Sequence, residues 1–184
     1  MPPGAVSWSF TDDDFRAISG SLQRFLYDSN ARCALLVDRA GQLVATVGEP
    51  PTFDATAFAS LTAADFSAND QLAKLIGEKD FNTLFHQGER ESMFLADVAR
   101  RIILVVLFDD RTTIGLVRLK LKSAVDDLTR RFEAVFARGA AGAQVAGASA
   151  AGAAARGLSG ALASEPTPLD LLAGAEDEID RLFS

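Results

Sequence analysis

The sequence predicts an α/β (α+β) domain: a mixed, mainly antiparallel sheet with helices on its faces, followed by a low-complexity tail. Three observations predict it. Apolar residues recur at helical spacing in three separate segments. Between them lie short runs rich in β-branched and aromatic residues, bounded by turn residues. Near Arg138 the composition shifts abruptly, and from Gly139 to Ala163 almost everything is Ala, Gly or Ser.

Each element follows in chain order. Thr11 is placed to cap a first helix, with Asp14 as its capping-box partner and Asp12 and Asp13 at the positive end of the dipole. Phe15, Ile18, Leu22, Phe25 and Leu26 then share one face. Residues 34–38 and 43–47 read as strands, and Arg39-Ala40-Gly41-Gln42 as their hairpin loop, with Gly41 able to take positive φ. A second helix is expected over 54–76, with Asp54 as N-cap and Gly77 just past its end. Its stripe is Phe58, Leu61, Ala68, Leu72 and Leu75. Residues 81–88 add an edge strand, and 91–98 and 101–108 form two strands joined by a very short connection. After a polar loop at 109–112, a last helix covers 113–137, with Val117, Leu121, Val125, Leu128, Phe132, Val135 and Phe136 facing inward.

At 184 residues the chain suits one domain plus a tail. The expected division is a domain over 10–137, an Ala/Gly-rich flexible linker over 138–164 and an acidic amphipathic motif over 165–184. In that motif Ile179, Leu182 and Phe183 fall at i, i+3, i+4 among Glu176, Asp177, Glu178 and Asp180, the pattern of a short helix that docks in a groove. The alternative is a disordered acidic tail, since so short a helix is unstable alone.

The bulk numbers exclude several functions. A net charge of −7 and no large basic patch argue against non-specific nucleic-acid binding. A single cysteine, Cys33, forbids an intrachain disulfide, and no Cys/His cluster has zinc spacing. Met1 to Ser9 lack the pattern of a secretory leader, and the apolar run at 102–108 is too short to span a bilayer, which together point to the cytosol. There is no G-x-x-x-x-G-K-[ST], G-x-S-x-G, H-E-x-x-H or post-strand G-x-G-x-x-G. Cys33 reads as a buried thiol and His86 as a loop or strand-edge side chain. Asp12 to Asp14 and Asp126-Asp127 read as capping or solvated carboxylates, and Asp109-Asp110 as turn residues. Arg111 and Arg118 suit surface salt bridges better than an arginine finger offered to a GTPase. No catalytic residue, metal site or cofactor is assigned.

Four strings carry a more specific signal. They are LVDRAGQLVATVG at 36–48, ASLTA at 59–63 followed by LAKLIGEKDF at 72–81, RIILVVLFDDRTTIGLVRLKLKSAVDDLTRRFE at 101–133, and EDEIDRLFS at 176–184. In order and spacing the chain resembles the Roadblock family (Roadblock/dynein light chain type), and within it the bacterial regulators of polarity and gliding motility.

The resemblance implies a five-stranded antiparallel sheet with one helix on one face and two on the other. It also implies a homodimer formed through the second helix and an edge strand. Phe58, Leu61 and Leu72 would then face the home sheet and Phe66 the other protomer, with Phe66, Leu61 and Leu72 grouped at the dimer interface.

The implied partner is a small Ras-like GTPase in its GTP-bound form, concentrated with it at a cell pole. The implied activity is GTPase activation without a catalytic arginine, by repositioning the GTPase's own switch residues. Partner-binding positions implied are Ser67, Ala68, Gln71, Lys74 and Leu75 on the second helix, and Ile179, Leu182 and Phe183, which would meet a second surface. One departure stands out: Asn69, Asp70 and Gln71 are polar where the family pattern has small residues for close packing on the GTPase. Two other functions compete: a non-catalytic scaffold for a polarity or motility factor, and a ligand sensor, which the apolar sheet interior disfavours.

Overall fold

The computed structural model describes residues 10–161, with side chains through residue 141. The chain divides into two compact units, with the boundary in sequence between Gly139 and Ala140.

In the first unit, helix α1 spans Asp12–Ser29. The Thr11 and Asp14 side chains each bond the other's backbone N–H, the complete capping box, and Asn30 closes the helix in the left-handed region. Strands β1 (Cys33–Asp38) and β2 (Leu43–Gly48) form the first hairpin. The Asp38 carboxylate accepts from the Ala40 and Gln42 N–H groups, which fixes the loop. Helix α2 spans Ala55–Leu75, capped by Asp54 and followed by Gly77 at φ +82°. Strands β3 (Thr83–Gln87), β4 (Ser92–Val98) and β5 (Ile102–Phe108) follow. The tight β4–β5 turn holds Ala99 and Arg100 at φ 52° and 60°, the mirror-image geometry that suits strand twist.

The sheet runs β2-β1-β5-β4-β3 and every pairing is antiparallel. Alternation along the strands sends Leu36, Leu104 and Val106 to one face, and Leu35, Ile103 and Val105 to the other. The first face is covered by α1 through Ile18, Leu22 and Phe25, and by α3 (Ile114–Ala161) through Val117, Leu121, Leu128 and Phe132. The second is covered by α2. Burial of β5 on both faces explains why its sequence is a continuous apolar run rather than an alternating one.

Three expectations need correction or extension. Phe15 is not an inner residue of α1; it is half exposed. Helix α3 does not stop near residue 137 but continues to Ala161, through a segment whose alanines have the highest intrinsic helix propensity.

The largest correction concerns α2. Leu61, Ala68, Leu72 and Leu75 do not face the home sheet, although Phe58 is partly buried there. The sheet is met by Ala59, Thr62, Ala63, Phe66, Asn69 and Ala73, an equally regular helical stripe made mostly of small residues. Small side chains let the helix approach closely. At Gly41 (φ +87°) an added Cβ would lie only 3.0 Å from the Ser60 Cα on α2. Phe66 fills the one larger space and has no exposed surface, so it cannot be the residue that reaches another protomer.

Candidate functional site

The outward face of α2 is the site's first component. Leu61 is 70% exposed, Leu72 57% and Leu75 82%, and Ile76 beside them is similarly open. With the exposed Ala68 they line one side of the helix at steps of three, four and seven residues. Ser67, Gln71 and Lys74 are exposed around this stripe. A concentration of large apolar side chains at the surface marks an interaction surface more often than scattered singletons do.

The second component is β3. It pairs with β4 alone and so presents an open row of backbone donors and acceptors among the described residues. His86 on β3 and Asp65 on α2 meet through Nε2 and Oδ2 at 2.9 Å, which joins the edge strand to the helix. Apolar stripe and open edge therefore adjoin, and one partner can cover both.

A partly buried clamp ties α2 to the sheet. Arg39 leaves the β1–β2 loop, lies over the Phe66 ring with its guanidinium carbon 4.5 Å from the ring centroid, and donates to Asp70 at 2.6 Å. It also donates to Asp97 on β4. Burial pulls the Arg39 pKa down, but the hydrogen bonds to Asp97 and Asp70 more than offset it and hold the group charged. Its Nε is buried without a partner. Beneath the helix, Asn69 Nδ2 donates to the Phe81 carbonyl at 3.4 Å. These contacts account for the polar departure at 69–71. Asn69 points into the fold and Asp70 into the clamp, leaving Gln71 alone on the outer surface.

At the other end of the sheet, Arg32 bonds Glu49 at 2.8 Å and also Glu91, while Arg111 bonds Glu49 at 2.8 Å and Asp109 at 2.9 Å. The Arg32 and Arg111 guanidiniums hold the Glu49 carboxyl below its usual range, and Arg111 does the same for Asp109. The Arg111 carbonyl accepts from Asn30 at 2.8 Å, and Thr112 donates to the Ser29 carbonyl at 2.6 Å. Arg111 is thus tied into the frame, as a salt-bridge residue, rather than extended as a finger. Cys33 is buried, and burial pushes its thiol pKa up. No group of three or more potential metal ligands occurs among the described residues.

Of the sequence-derived positions, the structure brings Ser67, Ala68, Gln71, Lys74 and Leu75 together on the outer face of α2, beside Leu61 and Leu72. It removes Phe66 from that surface. Ile179, Leu182 and Phe183 lie outside the described residues. Sequence reasoning missed the Arg39 clamp and the His86–Asp65 link. Both join residues at least 21 positions apart, and no local spacing announces such a pair.

The order β2-β1-β5-β4-β3, with one helix on one face, two on the other and an apolar helix beside an open edge strand, defines the Roadblock class of binding domain. The Roadblock/LC7 domain model matches residues 21–108, and the chain belongs to this family. It is similar in particular to MglB of Myxococcus xanthus. The two are 45% identical, the match covers 65% of this chain and 98% of that one, and the TM-score is 0.63. The gliding protein MglB of Thermus thermophilus is 32% identical, with 69% of this chain and 96% of that one covered and a TM-score of 0.65. An MglB with a tetrameric arrangement is 31% identical, with 70% and 97% covered and a TM-score of 0.66. Among the described residues no helix is long and apolar enough to cross a membrane.

Proposed function

We propose that this protein is a homodimeric regulator of a small Ras-like GTPase of the MglA type. It acts as a GTPase-activating protein with no catalytic group of its own. The observation that carries this reading is the exposed apolar face of α2 beside the open edge of β3, in a chain 45% identical to an MglB. Pairing of β3 with its counterpart would extend the sheet across a two-fold axis and cover part of both α2 stripes, with Leu61 and Leu72 at that contact. The two α2 helices would then lie side by side and offer Ser67, Ala68, Gln71, Lys74 and Leu75 to one GTPase.

Activation without a donated arginine requires the dimer to bind the hydrolysis-competent arrangement of the GTPase's switch residues better than the idle one. Differential binding of about 1.4 kcal/mol shifts that equilibrium tenfold. The Arg39 clamp supports such a role because a rigidly held α2 can impose a shape on its partner. Ile179, Leu182 and Phe183 would engage a second surface of the GTPase and influence nucleotide exchange.

Titration of the protein against its GTPase in GTP-loaded and GDP-loaded form tests this. Tight binding to the GTP form, lost on Gln71→Ala with Leu75→Ala, is expected. Equal affinity for both forms would overturn the activator reading. GTP-dependent binding without faster hydrolysis would instead define a Roadblock scaffold that recruits a polarity or motility factor.

A further inference from the structure

Helices α1 and α3 close one face of the sheet, and their outer surface carries exposed apolar and cationic side chains side by side. Tyr27 on α1 is 88% exposed and Leu119 on α3 is 69% exposed. Lys120 reaches Asp28 at 3.9 Å, so Tyr27 and Leu119 each stand one residue from the same bridge between the helices. Leu116, three residues before Leu119, is exposed on the same side of α3.

Cations dominate this surface. Arg24, Arg118 and Lys122 are exposed, and none has an ion-pair partner among the described residues. From Ile114 to Val125, α3 carries Arg118, Lys120 and Lys122 and no acid. Nearby carboxylates are engaged: Asp28 by Lys120, and Asp127 by Ser21 at 2.5 Å and Arg131 at 2.9 Å. Asp126, one turn beyond Lys122, offsets part of the positive charge. The chain as a whole carries −7, so this local surface runs against its bulk charge.

The space between α1 and α3 is lined mostly by polar side chains, among them Ser21, Arg24, Asp28, Lys120 and Ser123. It offers no apolar groove to a partner helix. The apolar side chains stand instead on the convex outer surface, flanked by cations, which suits a soft, anionic target.

We propose that the outer surface of α1 and α3 docks on an anionic lipid surface. Arg24, Arg118 and Lys122 meet lipid phosphates, and Leu119 and Tyr27 enter the headgroup level, where such side chains partition well. The pairing through β3 proposed above sets both α1–α3 layers on the same side of the extended sheet, opposite both α2 helices. A dimer then meets the lipid with two patches at once and keeps α2 turned away from it. That bivalence rests on the proposed dimer; the patch on one protomer does not.

The test is co-sedimentation of the full chain, without any GTPase, with vesicles of phosphatidylcholine alone or mixed with phosphatidylglycerol. Binding to the mixed vesicles alone is expected, and it should weaken roughly tenfold as salt rises from about 0.05 M to about 0.5 M. Arg118→Glu with Lys122→Glu should lower the affinity roughly tenfold or more. Tyr27→Ser with Leu119→Ser should lower it several-fold. Lys79→Glu with Arg90→Glu, the same change of charge at exposed residues before and after β3, should leave it unaltered. All of these positions are exposed, so each variant should keep the far-ultraviolet circular dichroism of the parent. No association with the mixed vesicles would overturn the proposal and leave the surface to an acidic protein partner. So would an equal loss with the Lys79 and Arg90 pair, which would make net charge the cause, or association insensitive to charge reversal and salt. Failure of the proposed dimer would show separately, as a monomer mass by light scattering.

Discussion

Asp14 accepts the Thr11 hydroxyl at 2.7 Å, the Thr11 backbone N–H at 3.1 Å and the Arg138 guanidinium at 2.6 Å. The Thr11 hydroxyl, then Arg138, lowers its pKa from 3.8 to about 2. A carboxyl depressed in the folded state stabilises the fold above its unfolded pKa, and that stabilisation is lost as pH falls from 3.8 towards about 2. Urea midpoints measured across this range should fall less steeply in Asp14→Asn than in the parent. Parallel curves would mean that the carboxylate is not linked to folding. Thr11→Ala removes the cap itself and should cost about 0.5–2 kcal/mol.

Gly48 carries a different constraint. At φ +100°, an added Cβ would lie 2.4 Å from the Arg32 carbonyl oxygen, so Gly48→Ala should destabilise by more than the roughly 1–3 kcal/mol of backbone strain alone. At this scale the sequence was readable wherever partners are close in the chain. Thr11 and Asp14 are three apart and announce a capping box; Arg39 and Asp97 are 58 apart and announce nothing.

For whole elements, the contrast lies between α1, α3 and α2. Each of the first two has one apolar stripe, so period alone oriented them, except that Phe15 in the first turn of α1 is half exposed. In α2 two regular stripes compete. Large residues at 61, 72 and 75 suggested the core, yet the sheet accepts Ala59, Ala63, Phe66 and Ala73, because close approach of helix and sheet favours small side chains.

Thermal and urea unfolding can separate the two stripes. Phe66→Ala should cost about 3–5 kcal/mol. Leu72→Ala, at an exposed position, should stay within about 0.5 kcal/mol under conditions where the protein is monomeric. The reverse ranking would restore the orientation read from size. Leu61→Glu combined with Leu72→Glu should keep the far-ultraviolet circular dichroism of the parent but halve the mass seen by light scattering at micromolar concentration. A mass unchanged by the two glutamates would place the dimer contact elsewhere.

At the scale of the molecule, the two faces of one sheet differ in how they are covered: α1 and α3 close one, and α2 closes the other while keeping an exposed apolar stripe of its own. Fold class and the order of elements along the chain were legible because hydrophobic period and turn residues agree along the domain, and the quoted strings added the family; the order of strands within the sheet was not, since local pattern does not say which strands pair. Replacing Ile179, Leu182 and Phe183 by alanine should leave the unfolding midpoint of the domain unchanged and alter GTPase affinity or nucleotide exchange several-fold; unchanged affinity and exchange would exclude a role for the motif.

Single-turnover GTP hydrolysis by the cognate Ras-like GTPase, with and without this protein, tests most directly the proposed action of α2 on a GTPase by shape alone. A large acceleration that survives Arg111→Ala and Arg118→Ala but is lost with Gln71→Ala and Leu75→Ala is the expected result. No acceleration at saturating protein, or acceleration abolished by removing either arginine alone while binding persists, would contradict it.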